Sequence, residues 1–403
     1  MQTNRQHLPL RHLPPTAVPF GSTELNAGLN ADPASLHAFR AKLARYFGTP
    51  DAFLAASGRT AFFLLLSGLS AESPTRAEVV LPAYTCPALA KVILDVGLTP
   101  VFVDIEPKTF GYEMEALTTA VSPQTLAIIV VHPFGIPQPV APVNTLAHEQ
   151  GAVVIEDAAQ ALGARWDGQP VGVEGDFGLY SLGPGKPLST GGGGIVVSSK
   201  PENQARLSRW WAELPQPGRI TSALALLRQV ALQLAFHPTG WWVATRVGVQ
   251  KIGEGEASWG YRVRGLTAVQ AGVGTALLSD LTTINNCRRE NAAAILAGLV
   301  TGKRLRTVRV AAAAVPIYLR LPILTGSLEG REQLYKRLWN EGIGVGRMYT
   351  RPLPAIFPGY AQKRFLGAET IAQRLLTLPT HHYVAAEDIN RMCRICSSRL
   401  YSS

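Results

Sequence analysis

Between Glu78 and Ser199 short, almost unbroken apolar runs alternate with helical patterns, and that alternation leaves the chain few folds. The segments EVVLP, TPVFVDI, LAIIVVHPF, AVVIEDA, FGLYSL and GIVVSS read as strands, with ALAKVILDVG and VNTLAHEQ as helices among them. A strand with one wet face alternates polar and apolar residues, whereas runs continuous in Val, Ile and Leu fit strands covered on both faces. Strand, helix, strand in series predicts an α/β fold with a mostly parallel central sheet flanked by helices. Sheets of this kind bind ligands beyond the carboxyl ends of their strands, so chemistry is sought there.

The 403 residues suffice for a large domain and a smaller one. The expected division is residues 1–255 for an N-terminal arm and the large domain, and 256–403 for a long linking helix and a smaller C-terminal α/β domain. In the latter, YRVRGLTAVQAGVGTALLSDLTTINNCRRENAAAILAGL has the helical pattern and VPIYLRLPIL reads as a strand. LEGREQLYKRLWNEG and AEDINRMCRIC read as helices. With 47% hydrophobic and 16% charged residues the chain buries a core and is not disordered.

Lysine and arginine exceed the carboxylates by 38 − 28, a net charge of +10 that suits anionic ligands without choosing among phosphates, nucleic acid and lipid. No groove-reading motif or aromatic–basic RNA signature accompanies it, so nucleic acid is not an expected partner. Cys86, Cys287, Cys393 and Cys396 are too few for a disulfide framework. The single C-x-x-C at Cys393 and Cys396 lacks a second pair, so no metal site is expected. The first 20 residues carry no apolar signal-peptide core, and a reduced, cytoplasmic protein is expected.

Residues from about 206 to 253 form a tryptophan-rich insert containing four of the seven tryptophans. The 17 uncharged residues between Arg228 and Arg246 include Gln229, Gln233, His237, Pro238 and Gly240, too short and interrupted a run for a membrane span. A surface helical hairpin fits, serving as buried packing, as an oligomer contact, or as a peripheral patch on a membrane.

Four side chains with complementary chemistry fall at the expected strand ends. Asp157 closes VVIED, where a buried charge needs a partner. Gln160 follows three residues on, on the same side if a helical turn begins there. Ser181 ends FGLYS, and Lys186 lies in the turn GPGKPLSTGGGG. A phosphate-binding P-loop would need glycine at Tyr180 and Ser or Thr at Pro187, so that reading fails. A carboxylate, an amide, a hydroxyl and an amine are instead what pyridoxal 5'-phosphate requires. Lysine forms a Schiff base with its aldehyde. A carboxylate keeps the ring nitrogen protonated, so the ring draws electrons. The amide can donate to the phenolic oxygen, and the hydroxyl can bind phosphate.

SGRTAF adds a second phosphate element: Ser57 and Gly58 precede a helix expected to begin near Arg59 or Thr60, whose free N–H groups bind anions. Tyr84, after another strand end, can stack on a ring or simply pack.

The series SGRTAF, LPAYTCPALAKVILDVGLTPVFVDIEP, VHPFG, VVIEDAAQALGA, GDFGLYSLGPGKPLSTGGGGIVV, YRVRGLTAVQAGVG and LLTLPTHHYVAAEDINRM resembles the DegT-type sugar aminotransferases, in order from about Phe53 to Arg391. The resemblance implies a fold type I pyridoxal-phosphate enzyme and a homodimer. It implies ping-pong transfer of an amino group, usually from glutamate, to a keto sugar on a nucleotide. It makes Lys186 the Schiff-base lysine, Asp157 the partner of the pyridine nitrogen and Gln160 the contact to the phenolic oxygen. Ala159 would pack on one ring face, with Gly58, Arg59, Thr60 and Ser181 around the phosphate.

The chain also departs from that pattern. Cys86 stands where the family usually has an aromatic stacking residue, so either Tyr84 stacks or the stack differs. Gly260 replaces the frequent Asn before YR, and Met348-Tyr349 replaces a His-Tyr near the sugar. Arg262, Arg264, Arg347 and Arg351 are candidates for a substrate carboxylate or phosphate, because guanidinium pairs with both bidentately. Arg262 and Tyr349 are the substrate residues expected. A related sugar dehydratase would carry histidine at Lys186. A different pyridoxal-phosphate enzyme on a non-nucleotide substrate, and a non-catalytic regulatory or membrane-associated protein, are the other readings.

Overall fold

Alternate residues of the central strands point to opposite faces of the sheet, and both faces are buried. Val79, Leu81, Ile129 and Ile155 join one apolar cluster, while Val80, Ile128, Val130 and Val154 join another on the other side. That two-sided burial is why these runs carry no polar alternation. The computed structural model describes residues 10–246, 260–361 and 363–398.

The strands are β1 (Ala52–Ala55), β2 (Glu78–Pro82), β3 (Thr99–Val103), β4 (Thr125–Val131), β5 (Val153–Asp157), β6 (Arg165–Trp166), β7 (Gln169–Pro170), β8 (Phe177–Ser181) and β9 (Gly194–Val197). Seven form the large sheet in the order β1-β9-β8-β5-β4-β2-β3. From β3 to β8 all pairings are parallel. Strand β9 runs antiparallel to both β8 and β1, so the sheet is largely but not wholly parallel. Strand β1 had no counterpart in the sequence reading, because four apolar residues show no period.

The helices of this half are α1 (Ser22–Leu29), α2 (Ala34–Phe47), α3 (Gly58–Glu72), α4 (Pro87–Val96), α5 (Met114–Ala120), α6 (Ala141–Glu149), α7 (Pro201–Trp211), α8 (Arg219–Phe236) and α9 (Pro238–Arg246). The tryptophans of the insert divide between them. Trp211 Nε1 donates to Leu54 O at 3.1 Å, Trp210 lies against Phe177, and Trp241 is buried and stacked on Phe236. Three of the insert's four tryptophans are therefore packed, while most other residues of α8 and α9 are at least partly exposed. The expected insert end at 253 and the domain boundary at 255/256 fall outside the described residues.

The single linking helix expected from the sequence is two, α10 (Ala268–Ser279) and α11 (Leu281–Gly298), meeting at Asp280. Thr267 caps α10 with Gln270 in a reciprocal box. Beyond it β10 (Leu305–Thr307), β12 (Leu321–Thr325) and β13 (Leu375–Leu378) make an antiparallel sheet, while β11 (Ala314–Val315) pairs with β6. The segment VPIYLRLPIL is thus not one strand. Ile317 N and Leu319 N donate to Gly135 O and Phe134 O at 3.0 and 2.9 Å, so its middle fastens to the large domain. The remaining helices are α12 (Leu328–Asn340), α13 (Leu353–Ile356), α14 (Leu366–Arg374) and α15 (Ala386–Ser397). All four cysteines are free, and Cys393 and Cys396 sit on α15 in the apolar cluster of this half.

The N-terminal arm is held by charge and by a neutral imidazole. Arg11 makes two 2.8 Å bonds to the buried Asp388 carboxylate and a third, 2.7 Å, to Tyr383 O. His381 Nε2 lies 2.8 Å from Pro14 O and its Nδ1 accepts from Tyr383 N at 3.3 Å, which assigns the Nε2–H tautomer. Burial drives His381 down to about 3, and His12 and His382 to about 4. As pH falls below about 6.5 the unfolded chain takes up the proton first. The stability carried by these neutral rings is therefore present above that pH and drains away toward pH 3. Chemical denaturation at stepped pH should show a falling midpoint from pH 6.5 downward. The His381→Asn protein, which keeps a donor but cannot titrate, should show a shallower slope; an unchanged slope would refute the assignment.

Candidate active site

Three chain features converge beyond the carboxyl ends of the parallel strands. Strand β5 ends at Asp157, β8 ends at Ser181, and α3 opens at Gly58 with Ser57 as its N-cap, the Ser57 hydroxyl accepting from Thr60 N at 3.1 Å. The glycine-rich turn folds back on that helix start through a bridge between Ser57 and Gly193. Gly193 has φ +128, a conformation glycine alone adopts without strain. Gly58 makes a close approach: a Cβ there would stand 3.1 Å from Ser181 Cβ. Leu182 N donates to Gly193 O at 2.8 Å, and Gln270 Nε2 donates to Gly192 O at 3.0 Å, closing the base of the turn.

A cavity of about 320 Å³ lies where these elements meet, within the size range of small-ligand sites. Gly58, Arg59, Asp157, Ala159, Gln160, Ser181 and Lys186 all line it. Gln160 arrives not on a helix, as the sequence suggested, but in consecutive turns closed by Ala161 N to Ala158 O and Ala164 N to Ala161 O.

The electrostatics are those of one anion among cations. Asp157 is buried, and burial raises its pKa, while the Lys186 ammonium, the Ala159 N–H at 3.0 Å and His132 act to lower it. The carboxylate thus faces the cavity with its negative charge only partly compensated. Gln160 Oε1 accepts from Phe134 N at 3.1 Å, which fixes the amide orientation and leaves its NH2 as the group available to a ligand. Ser181 Oγ accepts from Gly183 N at 3.3 Å, so its proton remains available for donation. Arg59, Lys186 and Arg228 supply positive charge to the wall.

Beneath Asp157, the fully buried Glu156 accepts from Gly172, Glu174 and Gly175 N–H groups at 2.6 to 2.9 Å and pairs with His132 Nε2 at 2.9 Å. His132 N in turn donates to Asp157 O at 3.1 Å. A carboxylate with four donors is a rigid footing, and it fixes the strand end that carries Asp157. The sequence hint was the doubled acid in VVIED, of which only Asp157 was singled out.

The side chains of four expected residues lie elsewhere, although the backbone of Thr60 stays in the first turn of α3. The Thr60 hydroxyl is committed to Arg262 O at 2.9 Å and is fully buried, so it does not face the cavity. Tyr84 does not lie on this wall. Its hydroxyl donates to Met348 O and accepts from Tyr349 N, and it borders a small neighbouring crevice with Tyr349. Cys86, at the start of α4, takes the cavity position instead. Arg262 is exposed away from the cavity.

None of the four arginines proposed for substrate lines the cavity. Arg347, for one, is paired with Glu332 at 2.8 Å and lies over the Tyr335 ring. Besides Arg59, the cavity wall holds Arg228, carried in by the insert helix α8. No local motif marks it, because its position depends on a long-range packing contact. Gln229 beside it donates to Ser189 O at 2.9 Å, clamping α8 on the Lys186 turn.

The family model described as the DegT/DnrJ/EryC1/StrS aminotransferase family matches residues 28–397. The UDP-N-acetyl-3-dehydro-alpha-D-glucosamine 3-aminotransferase of Acidithiobacillus ferrooxidans is 30% identical over 369 residues, covering 90% of this chain and 88% of that one. The sugar aminotransferase CalS13 from Micromonospora echinospora superposes with a TM-score of 0.77 at 24% identity, over 96% of this chain and all of that one (100%). The putative sugar aminotransferase Spr1654 from Streptococcus pneumoniae, solved in a PMP-form, gives 0.77 at 20% identity over 96% of this chain and 98% of that one. With the cavity residues gathered at the strand ends and the match extending over most of the sequence, the chain belongs to the DegT/DnrJ/EryC1/StrS aminotransferase family.

Proposed function

We propose that this aminotransferase holds pyridoxal 5'-phosphate in the cavity between β5, β8 and α3 and moves an amino group from glutamate to a nucleotide-linked keto sugar. The observation that carries the reading is the meeting of Lys186 and Asp157 across one cavity, with the Gln160 amide beside them. The residues fit the group: a partly compensated buried carboxylate, a helix start and hydroxyl suited to phosphate, and the Lys186 amine beside them. When bound, pyridoxal phosphate supplies an aldehyde carbon that captures amines and a ring that withdraws electrons.

The chain's own residues do the rest. Asp157 holds a proton at the ring nitrogen, an interaction that also offsets its own burial. The Gln160 amide donates to the phenolic oxygen. Backbone N–H groups at the start of α3, with the Ser181 hydroxyl, bind the phosphate. Lys186 Nζ, once free as a neutral amine, takes a proton from the donor carbon and returns one to the acceptor carbon in the second half-reaction. Ala159 leaves room for a flat ring because it has no side chain beyond Cβ.

A second cavity of about 270 Å³ adjoins the site by way of the Tyr84–Tyr349 crevice, lined by Tyr112, Trp166 and Arg309 among others. Its aromatic and cationic wall suits the remote part of an extended acceptor.

The test is spectroscopic. Purified with pyridoxal phosphate, the protein should gain a visible absorbance band that borohydride fixes to Lys186 by mass. Glutamate should bleach the band and release 2-oxoglutarate, and a nucleotide-linked keto sugar should restore it. A cofactor adduct elsewhere, or none, would refute the cofactor reading. A band unmoved by glutamate would refute the donor.

A further inference from the structure

The face of α8 and α9 turned away from the protein has a pattern the aminotransferase chemistry does not use. Ile220, Leu224, Leu227 and Leu234 are 79, 59, 67 and 67% exposed, and Val243 on α9 is 49% exposed. At 100° per residue the four α8 side chains fall within an arc of roughly 80°. Arg219 and Arg228 stand about 40–60° outside its two edges. The opposite face of α8 holds the buried Gln229 and Phe236 that fasten it to the protein. Across RITSALALLRQVALQLAF and PTGWWVATR there are three arginines, Arg219, Arg228 and Arg246, and no Asp or Glu.

We propose that this face docks on an anionic lipid surface, with α8 lying in the plane of the interface and its leucines in the acyl boundary. An apolar stripe edged by cations, with tryptophan nearby, is the arrangement that combines apolar burial with attraction to anionic headgroups. Arg246 lies over the Trp242 ring at 3.6 Å, placing a cationic and an aromatic group together at the end of the hairpin. No helix among the described residues is long and apolar enough to cross a membrane, so the contact proposed is peripheral.

Charge separates this occupant from a second copy of the chain. A two-fold contact sets a patch against itself. Here that would bring arginine toward arginine with no carboxylate on either pair of helices, whereas anionic lipid complements Arg219 and Arg246. The helix that docks also carries Arg228 to the cavity wall, so the lipid surface and the site share one element.

The experiment is co-sedimentation of the cofactor-loaded, full-length protein with vesicles of phosphatidylglycerol and phosphatidylcholine, against pure phosphatidylcholine. Binding is expected to the anionic vesicles, to fall as salt rises, and to weaken about tenfold or more in Leu224→Ser/Leu227→Ser/Leu234→Ser. Circular dichroism and cofactor absorbance check that this variant folds. Should it not fold, Arg219→Glu at the exposed start of α8 should reduce binding to the anionic vesicles. Quenching of wild-type tryptophan fluorescence by brominated acyl chains should place the hairpin in the boundary. Wild type left in solution, or binding unchanged in the folded variants, would overturn the proposal. A wild-type dimer that the serine variant converts to monomer, without vesicle binding, would assign the face to a second copy instead.

Discussion

Lys186→Ala is expected to lose amino transfer by about 10³–10⁴-fold or more, on the scale of removing a general acid–base group and the covalent anchor together. Nothing else on the wall can substitute. Arg59 and Arg228 carry guanidinium groups rather than the primary amine this chemistry needs, and Lys91 is paired with Asp95. Lys186→Arg tests whether charge alone suffices. It retains the cation beside Asp157 yet offers no primary amine to bond the aldehyde or carry a proton, so it should be as inactive as alanine. Both variants should still take up cofactor, because the α3 start, Ser181, Gln160 and Asp157 remain. A small primary amine added to the alanine variant should restore part of the rate, since the missing function is a mobile amine rather than a fold element. Measurable turnover in Lys186→Ala without added amine would remove Lys186 from the mechanism.

The parts of this site that were legible in the sequence are those set by short-range geometry. Asp157 and Ser181 end buried strands, and a parallel sheet puts strand ends on one side; Lys186 lies five residues beyond Ser181 in a turn that must close. The start of α3 was legible because an N-cap serine before an apolar run is a local signal. What escaped the sequence depends on distant packing. Tyr84 was weighed for its ring, but it is turned into a crevice by its bonds to Met348 and Tyr349, 264 and 265 residues later. Arg228 reaches the cavity only because Gln229 ties α8 to Ser189, 40 residues back. The single strand read through VPIYLRLPIL failed for the same reason: its N–H groups are claimed by Phe134 and Gly135 of the other half. Periodicity reports which residues are buried, not which partner buries them.

Asp157→Asn is expected to cost about 10²–10³-fold in kcat, the scale of removing one preorganised electrostatic contact from a reacting centre. The substitution keeps shape and the capacity to accept from Ala159 N, so the loss would report charge and not folding. A carboxylate here is unfavourable until a cation answers it: burial raises Asp157, and Lys186 and the neighbouring N–H offset this only in part. With the proposed cofactor bound, Asp157 would face the protonated ring nitrogen as the missing cation, and the buried carboxylate would in turn keep that proton on. Asparagine cannot hold it, so the ring draws electrons less strongly and the proton removed by Lys186 becomes less acidic. The sign with pH follows from the raised Asp157 value. The form that works is ionised, so wild-type activity should fall as pH drops and protonates it, whereas bound cofactor should push that limb to lower pH by favouring the anion. In Asp157→Asn the acid limb due to this group should vanish, leaving a low and flatter profile, and glutamate should bleach the cofactor band more slowly than in wild type. Activity within a few-fold of wild type with the acid limb intact would mean that Asp157 only shapes the strand end, a role already filled by Glu156 and its four donors.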